Sequence, residues 1–186
     1  EPVELPVIEI VPNPYPDQTR ATIDALWLYD WVIFTSVNSV EVFLDLIRVR
    51  GEDEYALSNA QVGAIGRVTA DRLRSYGIEP DFVPDEFVAE AVLDGLRKRG
   101  VAGLRVLLPR AEVARDTLPT GLRESGAIVD VLPVYRTVPA SPDADVLRRL
   151  GNGEIDVVTF TSSSTVHNLI AMLDRHVERL SNATIA

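Results

Sequence analysis

The sequence predicts an α/β protein built from two flavodoxin-like, doubly wound parallel-sheet domains, the second of them incomplete. Three observations predict this class. Apolar runs of strand length alternate with segments of helical periodicity, which is typical of parallel sheets covered by helices on both faces. The apolar fraction of 46% is ordinary for a protein that buries a core. Finally, one strand–helix passage occurs twice, which indicates a duplicated fold.

The repeated passage is DWVIFTSVNSVEVFLDLI at 30–47 and DVVTFTSSSTVHNLIAML at 156–173, a separation of 126 residues. In both copies an apolar run stops at Thr-Ser and helical periodicity begins. The identical pairs are Asp30/Asp156, Val32/Val158, Phe34/Phe160, Thr35/Thr161, Ser36/Ser162 and Val40/Val166.

The predicted strands are extended or apolar runs, several of them bounded by proline or glycine. In chain order they cover 4–12, 31–36, 61–66, 81–84, 104–110, 129–139, 156–162 and 183–186. The predicted helices repeat apolar residues every three or four positions. In chain order they cover 19–26, 37–47, 67–77, 88–99, 114–125, 142–150 and 164–173. Gly77 is a typical helix stop, whereas Pro119 is unfavourable inside the helix predicted over 114–125.

The order of these elements predicts an inserted domain. We expect a connector strand over 1–12, a complete α/β domain over 13–128, a returning connector strand over 129–139 and a partial second α/β domain over 140–186. The two connectors are both extended and interrupted by proline, and we expect them to pair antiparallel. The second domain's opening elements would then precede residue 1, and its last elements would follow residue 186.

Composition argues against several classes of function. The net charge of −10 argues against nucleic-acid binding, because neutralising phosphates needs a basic surface. No apolar run approaches the ~20 residues that cross a bilayer, and no secretory leader is visible, so we expect no membrane partner. The absence of cysteine excludes disulfides and thiolate metal sites and makes a reducing cytoplasm the expected location.

The repeated Thr-Ser lies where ligands bind in open α/β sheets, outside the carboxyl ends of the strands. There a helix start carries a partial positive charge and accepts a carboxylate or phosphate. Polar side chains that cap the helix or lie beside its free amides would assist, so the candidate binding residues are Thr35, Ser36, Asn38, Thr161, Ser162 and Ser163. The alternative is that these residues are simply good N-caps.

Other strand ends supply further candidates. Gly66 allows a tight turn and Thr69 lies in the next helical turn, although close packing alone would also explain Gly66. The surrounding GAIGRVTA is not a dinucleotide fingerprint. Arg110 ends its strand in the same layer, where a solvated or salt-bridged arginine is the more common case.

Tyr135 lies in the returning connector. A phenol there usually packs with a polar tip, but beside a cleft it could donate a hydrogen bond or a proton. His167 and His176 share no metal-ligand spacing, so we predict no metal site. The residues alone therefore predict a cleft of hydroxyls and helix amides, suited to a flexible ligand with several carboxylates.

Four segments, in this order, resemble the uroporphyrinogen-III synthase family: DWVIFTSVNSV, VGAIGRVTADRLRSYGIEPDFVP, VLLPRAEVARDTLPTGLRESGAIVDVLPVYRT and DVVTFTSSSTV. The resemblance implies two α/β domains joined by a two-stranded connector. It also implies a lyase that cyclises hydroxymethylbilane, a linear tetrapyrrole, to uroporphyrinogen III with inversion of the last ring and loss of water. The family uses no metal or organic cofactor and serves haem, sirohaem and cobalamin synthesis; we expect a monomer.

The resemblance implies a catalytic role for Tyr135. It implies carboxylate contacts for Thr35, Ser36, Gly66, Thr69, Thr161, Ser162 and Ser163. The family's opening strand and helix, and its closing Gly-Pro-x-Thr turn and helix, have no counterpart in this sequence. If they are absent from the molecule, we expect this chain to be inactive and its second half to be unstable.

Two other functions remain open. One is a non-catalytic sensor module that binds a tetrapyrrole or another carboxylate. The other is a flavodoxin-like nucleotide or sugar-phosphate enzyme, which is weaker because the sequence has no phosphate loop and no acidic metal pair at strand ends.

Overall fold

A computed structural model describes residues 2–13, 16–51, 54–141, 143–160, 162–174 and 176–186. Its strands are β1 (Ile8–Pro12), β2 (Trp31–Phe34), β3 (Gln61–Ala64), β4 (Arg105–Ala111), β5 (Ile128–Pro139), β6 (Val157–Val158) and β7 (Thr184–Ile185). Its α-helices are α1 (Pro16–Asp24), α2 (Val37–Val49), α3 (Arg67–Ser75), α4 (Ala89–Lys98), α5 (Thr117–Glu124), α6 (Ala144–Gly151) and α7 (Ser163–Met172). Short 3₁₀ helices cover Leu26–Leu28, Glu54–Leu57 and Val177–Leu180.

The main sheet has five strands in the order β1-β5-β4-β2-β3. The pairs β2–β3, β2–β4 and β4–β5 are parallel. Near β1, the Asn13 amide donates to the Val134 carbonyl at 2.9 Å and the Ala140 amide donates to the Val7 carbonyl at 3.3 Å. The residue numbers of the two strands thus run in opposite directions, so β1 is antiparallel to β5. The sheet is mixed, and the predicted α/β class is confirmed.

The chain divides into two compact units. The large unit is Pro12–Arg136, and the small unit combines Glu1–Val11 with Thr137–Ala186. In the large unit every residue of β2 is buried, which explains why its sequence is a continuous apolar run. Trp31 and Ile33 belong to a buried hydrophobic cluster that includes side chains of α4 and α5. Phe34 packs edge-on against Phe43 of α2, with the ring centroids 5.7 Å apart.

In the small unit, β6 and β7 form a two-stranded parallel sheet beside a core of Val7, Leu150, Leu169 and Leu173. The order β6, α7, 3₁₀ helix, β7 repeats the order β2, α2, 3₁₀ helix, β3 of the large unit. The Gln61 amide donates to the Asp30 carbonyl and the Thr184 amide to the Asp156 carbonyl, both at 2.8 Å. The tripeptide Ser-Asn-Ala precedes the second strand in each copy, at 58–60 and 181–183. The repeat therefore extends to backbone hydrogen bonding.

Several elements differ from the sequence predictions. The strand predicted over 81–84 is reduced to one bridge, between Gly63 and Phe82. The helix predicted over 114–125 begins only at Thr117, so Pro119 falls in the first turn, where a backbone N–H has no intrahelical partner. Over the part of the chain that the structure describes, no helix has both the length and the apolar character needed to cross a membrane.

Candidate active site

Most of the predicted site residues lie at one edge of the large unit. Because β2, β3 and β4 are parallel, their carboxyl ends meet at the same edge of the sheet. Thr35 and Ser36 follow β2, Gly66 follows β3, and Arg110 lies near the end of β4. Strand pairing with β4 brings Tyr135 of β5 to this edge as well.

The central contact of this edge joins Tyr135 to Ser36. The Tyr135 hydroxyl lies 3.2 Å from Ser36 Oγ, so the phenol reaches across the end of β4, which separates β5 from β2. Ser36 is the N-cap of α2 and accepts a hydrogen bond from the Ser39 amide at 3.1 Å; the Ser39 hydroxyl donates to the Ser36 carbonyl at 2.7 Å. Tyr135 is only 6% exposed. The phenol is therefore fixed beside the partially positive end of a helix.

The register between β4 and β5 shifts by one residue just before Tyr135, as it does at a β-bulge. Arg110 pairs with Pro133, whereas Ala111 pairs with Tyr135, so Val134 is an extra residue in β5. Because side chains alternate between faces, one extra residue reverses the face of every residue after it. Tyr135 is the first residue after this shift, and its hydroxyl lies beside Ser36 at the end of β2.

The second copy of the corner lies in the small unit and has the same local geometry. Ser36 has backbone angles of −161° and 158°, and Ser162 has −161° and 159°. Ser162 caps α7 by accepting from the Thr165 amide at 3.3 Å, and the Thr165 hydroxyl donates to the Ser162 carbonyl at 2.6 Å. Ser163 is exposed as the first residue of α7, and Thr161 lies outside the described residues. Both serines therefore act as caps, whether or not they also meet a ligand.

Thr35 and Arg110 line one cavity of about 330 Å³, together with Phe87, Leu108 and other residues of the large unit. The Arg110 guanidinium donates to Asp116 Oδ1 at 2.7 Å and to the Arg115 carbonyl at 2.9 Å. Its side chain is 12% exposed. Arg110 therefore braces the loop after β4 through an ion pair and also lines the cavity beside Thr35.

The remaining predicted residues occupy helix starts. Asn38 is half-buried in the first turn of α2, and Thr69 is buried in the first turn of α3. Gly66 is the N-cap of α3 in an extended conformation that any residue can adopt. Glycine is required at position 66 because a Cβ there would lie only 2.9 Å from Phe87 Cγ. Sequence reasoning missed Phe87, whose approach to Gly66 gives no local signal.

A second buried phenol lies at the opposite end of β2. The Tyr29 hydroxyl donates to Asp130 Oδ2 at 2.9 Å, and Arg105 donates to the same oxygen at 3.1 Å. Burial, followed by the hydrogen bond to Asp130, raises the pKa of Tyr29 to about 12. Tyr29 is thus held by a carboxylate and Tyr135 by a neutral hydroxyl.

The family model for uroporphyrinogen-III synthase HemD matches residues 1–186. The chain belongs to the uroporphyrinogen-III synthase HemD family. The family predicted from the sequence is thereby confirmed.

Individual proteins give the extent of the similarity. A porphyrin biosynthesis protein HemD from Ruminiclostridium josui is 32% identical over 187 residues, covering 100% of this chain and 37% of that protein. A uroporphyrinogen-III synthase from Synechococcus elongatus is 29% identical over 191 residues, covering 99% of this chain and 72% of that protein. A crystal structure of mutant uroporphyrinogen III synthase from Thermus thermophilus matches with a TM-score of 0.62 at 23% identity, covering 97% of this chain and 72% of that chain. That structural likeness shows the shared fold. The chain thus spans about a third of the first relative and under three quarters of the other two.

Proposed function

We propose that the protein carrying this chain is a uroporphyrinogen-III synthase, which cyclises hydroxymethylbilane to uroporphyrinogen III with loss of water. Membership of the HemD family over the whole chain supports the reaction class. The observation that carries the proposal is the buried Tyr135 phenol, 3.2 Å from the cap hydroxyl of α2 at the ligand-binding edge of the sheet.

In this proposal Tyr135 is the general acid. The bond between carbon and the terminal hydroxyl of the bilane breaks as the phenol donates a proton, and the hydroxyl leaves as water. The resulting azafulvene is attacked by a ring carbon, and the spiro intermediate rearranges to the inverted macrocycle. A proton lost from the substrate on ring closure restores the phenol. Ser36 orients the phenol, and Ser39 in turn fixes Ser36.

We also propose that the two units are flavodoxin-like domains, one inserted in the other through the connectors at 1–12 and 129–139. The repeated N-cap geometry and the repeated order of elements support this interpretation. The helix starts of both units would then bind the carboxylate arms of the substrate. The residues proposed to bind are Thr35, Ser36, Asn38, Gly66, Thr69, Arg110, Thr161, Ser162 and Ser163.

The test is an assay of the full-length protein with hydroxymethylbilane that separates the III isomer from the spontaneous I isomer. We expect the III isomer, and we expect Tyr135→Phe to lower kcat by about 100-fold or more, since general acid catalysis contributes that much. Tyr29→Phe is the matched control, because it removes a buried phenol at the opposite end of β2 and should leave kcat within about twofold.

Formation of the I isomer alone would refute the proposed reaction. Wild-type turnover by Tyr135→Phe would refute the role of the phenol. Tight binding of hydroxymethylbilane with no turnover would instead support the non-catalytic binding module.

A further inference from the structure

Four exposed apolar side chains lie in segments that adjoin the carboxyl edge of the large unit. Val68 lies in the first turn of α3, Phe87 and Val88 precede α4, and Val113 follows β4; each is between 44% and 90% exposed. Apolar walls around a few placed polar groups are usual in sites for small molecules. Of these four, Phe87 alone carries a flat aromatic ring.

Phe87 is held in position on one side. Its ring packs on the backbone at Gly66, where a Cβ would meet three Phe87 atoms at 2.9–3.0 Å. The guanidinium carbon of Arg67 lies 5.8 Å from the ring centroid, within the range of a cation–π contact. About half of the side chain, 51%, remains exposed. Covering this remainder with a flat apolar group would be favourable.

The exposed part of Phe87 forms a wall of two cavities, each of about 330 Å³. The first also contacts Thr35, the chain neighbour of Ser36. The second also contacts two cations, Arg67 and Arg74, and two carboxylates, Asp71 and Asp85. A ring bound on Phe87 would therefore lie between the proposed reaction centre and Arg67.

Ion pairing distinguishes the two cations. Arg74 pairs with Glu79 at 2.9 Å and with Asp71 at 2.8 Å. Arg67 is exposed and forms no ion pair with any residue that the structure describes. In a chain of net charge −10, an exposed arginine without a carboxylate partner beside an exposed aromatic ring matches an aromatic acid.

We propose that Phe87 and Arg67 form a subsite for one pyrrole ring of the substrate. The ring stacks on Phe87, and one of its carboxylate arms pairs with Arg67. The assignment depends on the proposed function and deepens it, because it gives Phe87 and Arg67 a role in positioning the substrate. Stacking of the substrate ring on Phe87 would increase the binding affinity but would take no part in proton transfer.

The subsite is tested first by binding, independently of turnover. The probe is a single pyrrole ring with carboxymethyl and carboxyethyl arms, titrated into the full-length protein and followed by NMR. We expect Phe87→Ala to weaken binding by about tenfold and Phe87→Tyr to restore it. Arg67→Gln should weaken binding by about threefold and reduce its salt dependence.

Two variants serve as controls. Trp27→Ala removes another exposed aromatic ring, 67% exposed and next to the amino end of β2, and Arg97→Gln removes a cation in the last turn of α4. Both should bind the probe as the wild type does. With hydroxymethylbilane, Phe87→Ala and Arg67→Gln should raise KM by similar factors and leave kcat within about twofold, whereas Tyr135→Phe acts on kcat.

The outcomes separate the two proposals. No probe binding by the wild type, or equal binding by wild type, Phe87→Ala and Arg67→Gln, overturns the subsite even if the protein makes the III isomer. Probe binding that depends on Phe87 and Arg67, without formation of the III isomer, supports the subsite and overturns the proposed reaction.

Discussion

The contact between Ser36 and Tyr135 predicts a coupling free energy that a double-mutant cycle can measure. Ser36→Ala removes two interactions, the cap of the Ser39 amide and the contact with the phenol. A cap contributes about 1 kcal/mol and a hydrogen bond of this kind about 1 kcal/mol, so the variant should lose about 2 kcal/mol. Tyr135→Phe removes only the second and should lose about 1 kcal/mol. The double variant should also lose about 2 kcal/mol, which leaves a coupling of about 1 kcal/mol.

Urea unfolding followed by tryptophan fluorescence is the suitable assay. Both tryptophans, Trp27 and the buried Trp31, belong to the large unit, so the signal reports on the unit that contains the contact. With an m-value of about 2 kcal/mol/M, a loss of 2 kcal/mol lowers the urea midpoint by about 1 M.

The control cycle pairs Ser36→Ala with Tyr29→Phe. Tyr29 precedes β2 and Ser36 follows it, so their effects should add within about 0.5 kcal/mol. A Ser36–Tyr135 coupling below about 0.3 kcal/mol would refute the argument that this contact fixes the phenol. A coupling of equal size in the control cycle would refute its assignment to this pair.

Two further predictions concern packing and pH. Gly95→Ala would place Cβ 2.1 Å from Phe82 Cζ, so it should lower the free energy of unfolding by about 1–3 kcal/mol although alanine favours helices. Gly151→Ala places Cβ in open space and should raise the free energy of unfolding by up to about 1 kcal/mol. Thermal melting followed by circular dichroism measures both variants, and a Gly95→Ala protein more stable than Gly151→Ala would contradict the packing argument. The pKa of Tyr29, raised to about 12, means that its neutral form stabilises the fold fully below pH 10 and that this contribution, on the order of 2 kcal/mol, is lost as pH rises through 12. Absorbance titration should show a late-titrating tyrosine that Tyr29→Phe removes, and an unchanged titration would contradict the raised pKa that burial and the hydrogen bond to Asp130 give Tyr29.

The elements predicted best from the sequence are those whose burial leaves the clearest pattern. The apolar run 31–36 became β2 over Trp31–Phe34, and the periodic segment 37–47 became α2 over Val37–Val49. The run at 156–162 formed regular strand only over Val157–Val158. β2 has a hydrogen-bonded neighbour on each side, whereas β6 has only β7 among the described residues. An apolar run of strand length therefore forms a regular β-strand only where a neighbouring strand pairs with it.

The candidate site was predicted as a set of residue types and not as a geometry. The repeated Thr-Ser indicated helix caps, and both serines cap. The contact between Ser36 and Tyr135 spans 99 residues and depends on the strand order and on the extra residue Val134. A bulge arises from how two strands register against each other, and neither strand shows it alone.

The capping and binding interpretations of the repeated corner are compatible. The first four amides of a helix have no intrahelical partner, and the Ser36 side chain takes one of them, that of Ser39. The Ser36 hydroxyl uses two of its three hydrogen-bonding positions on this amide and on Tyr135, so most contacts of a bound carboxylate would fall on the remaining amides of the first turn. Ser162 repeats the arrangement at α7. Uncharged donors of this kind would allow a chain with a net charge of −10 to hold the proposed polyacid, because the helix ends attract at short range whereas salt screens the more distant surface charges.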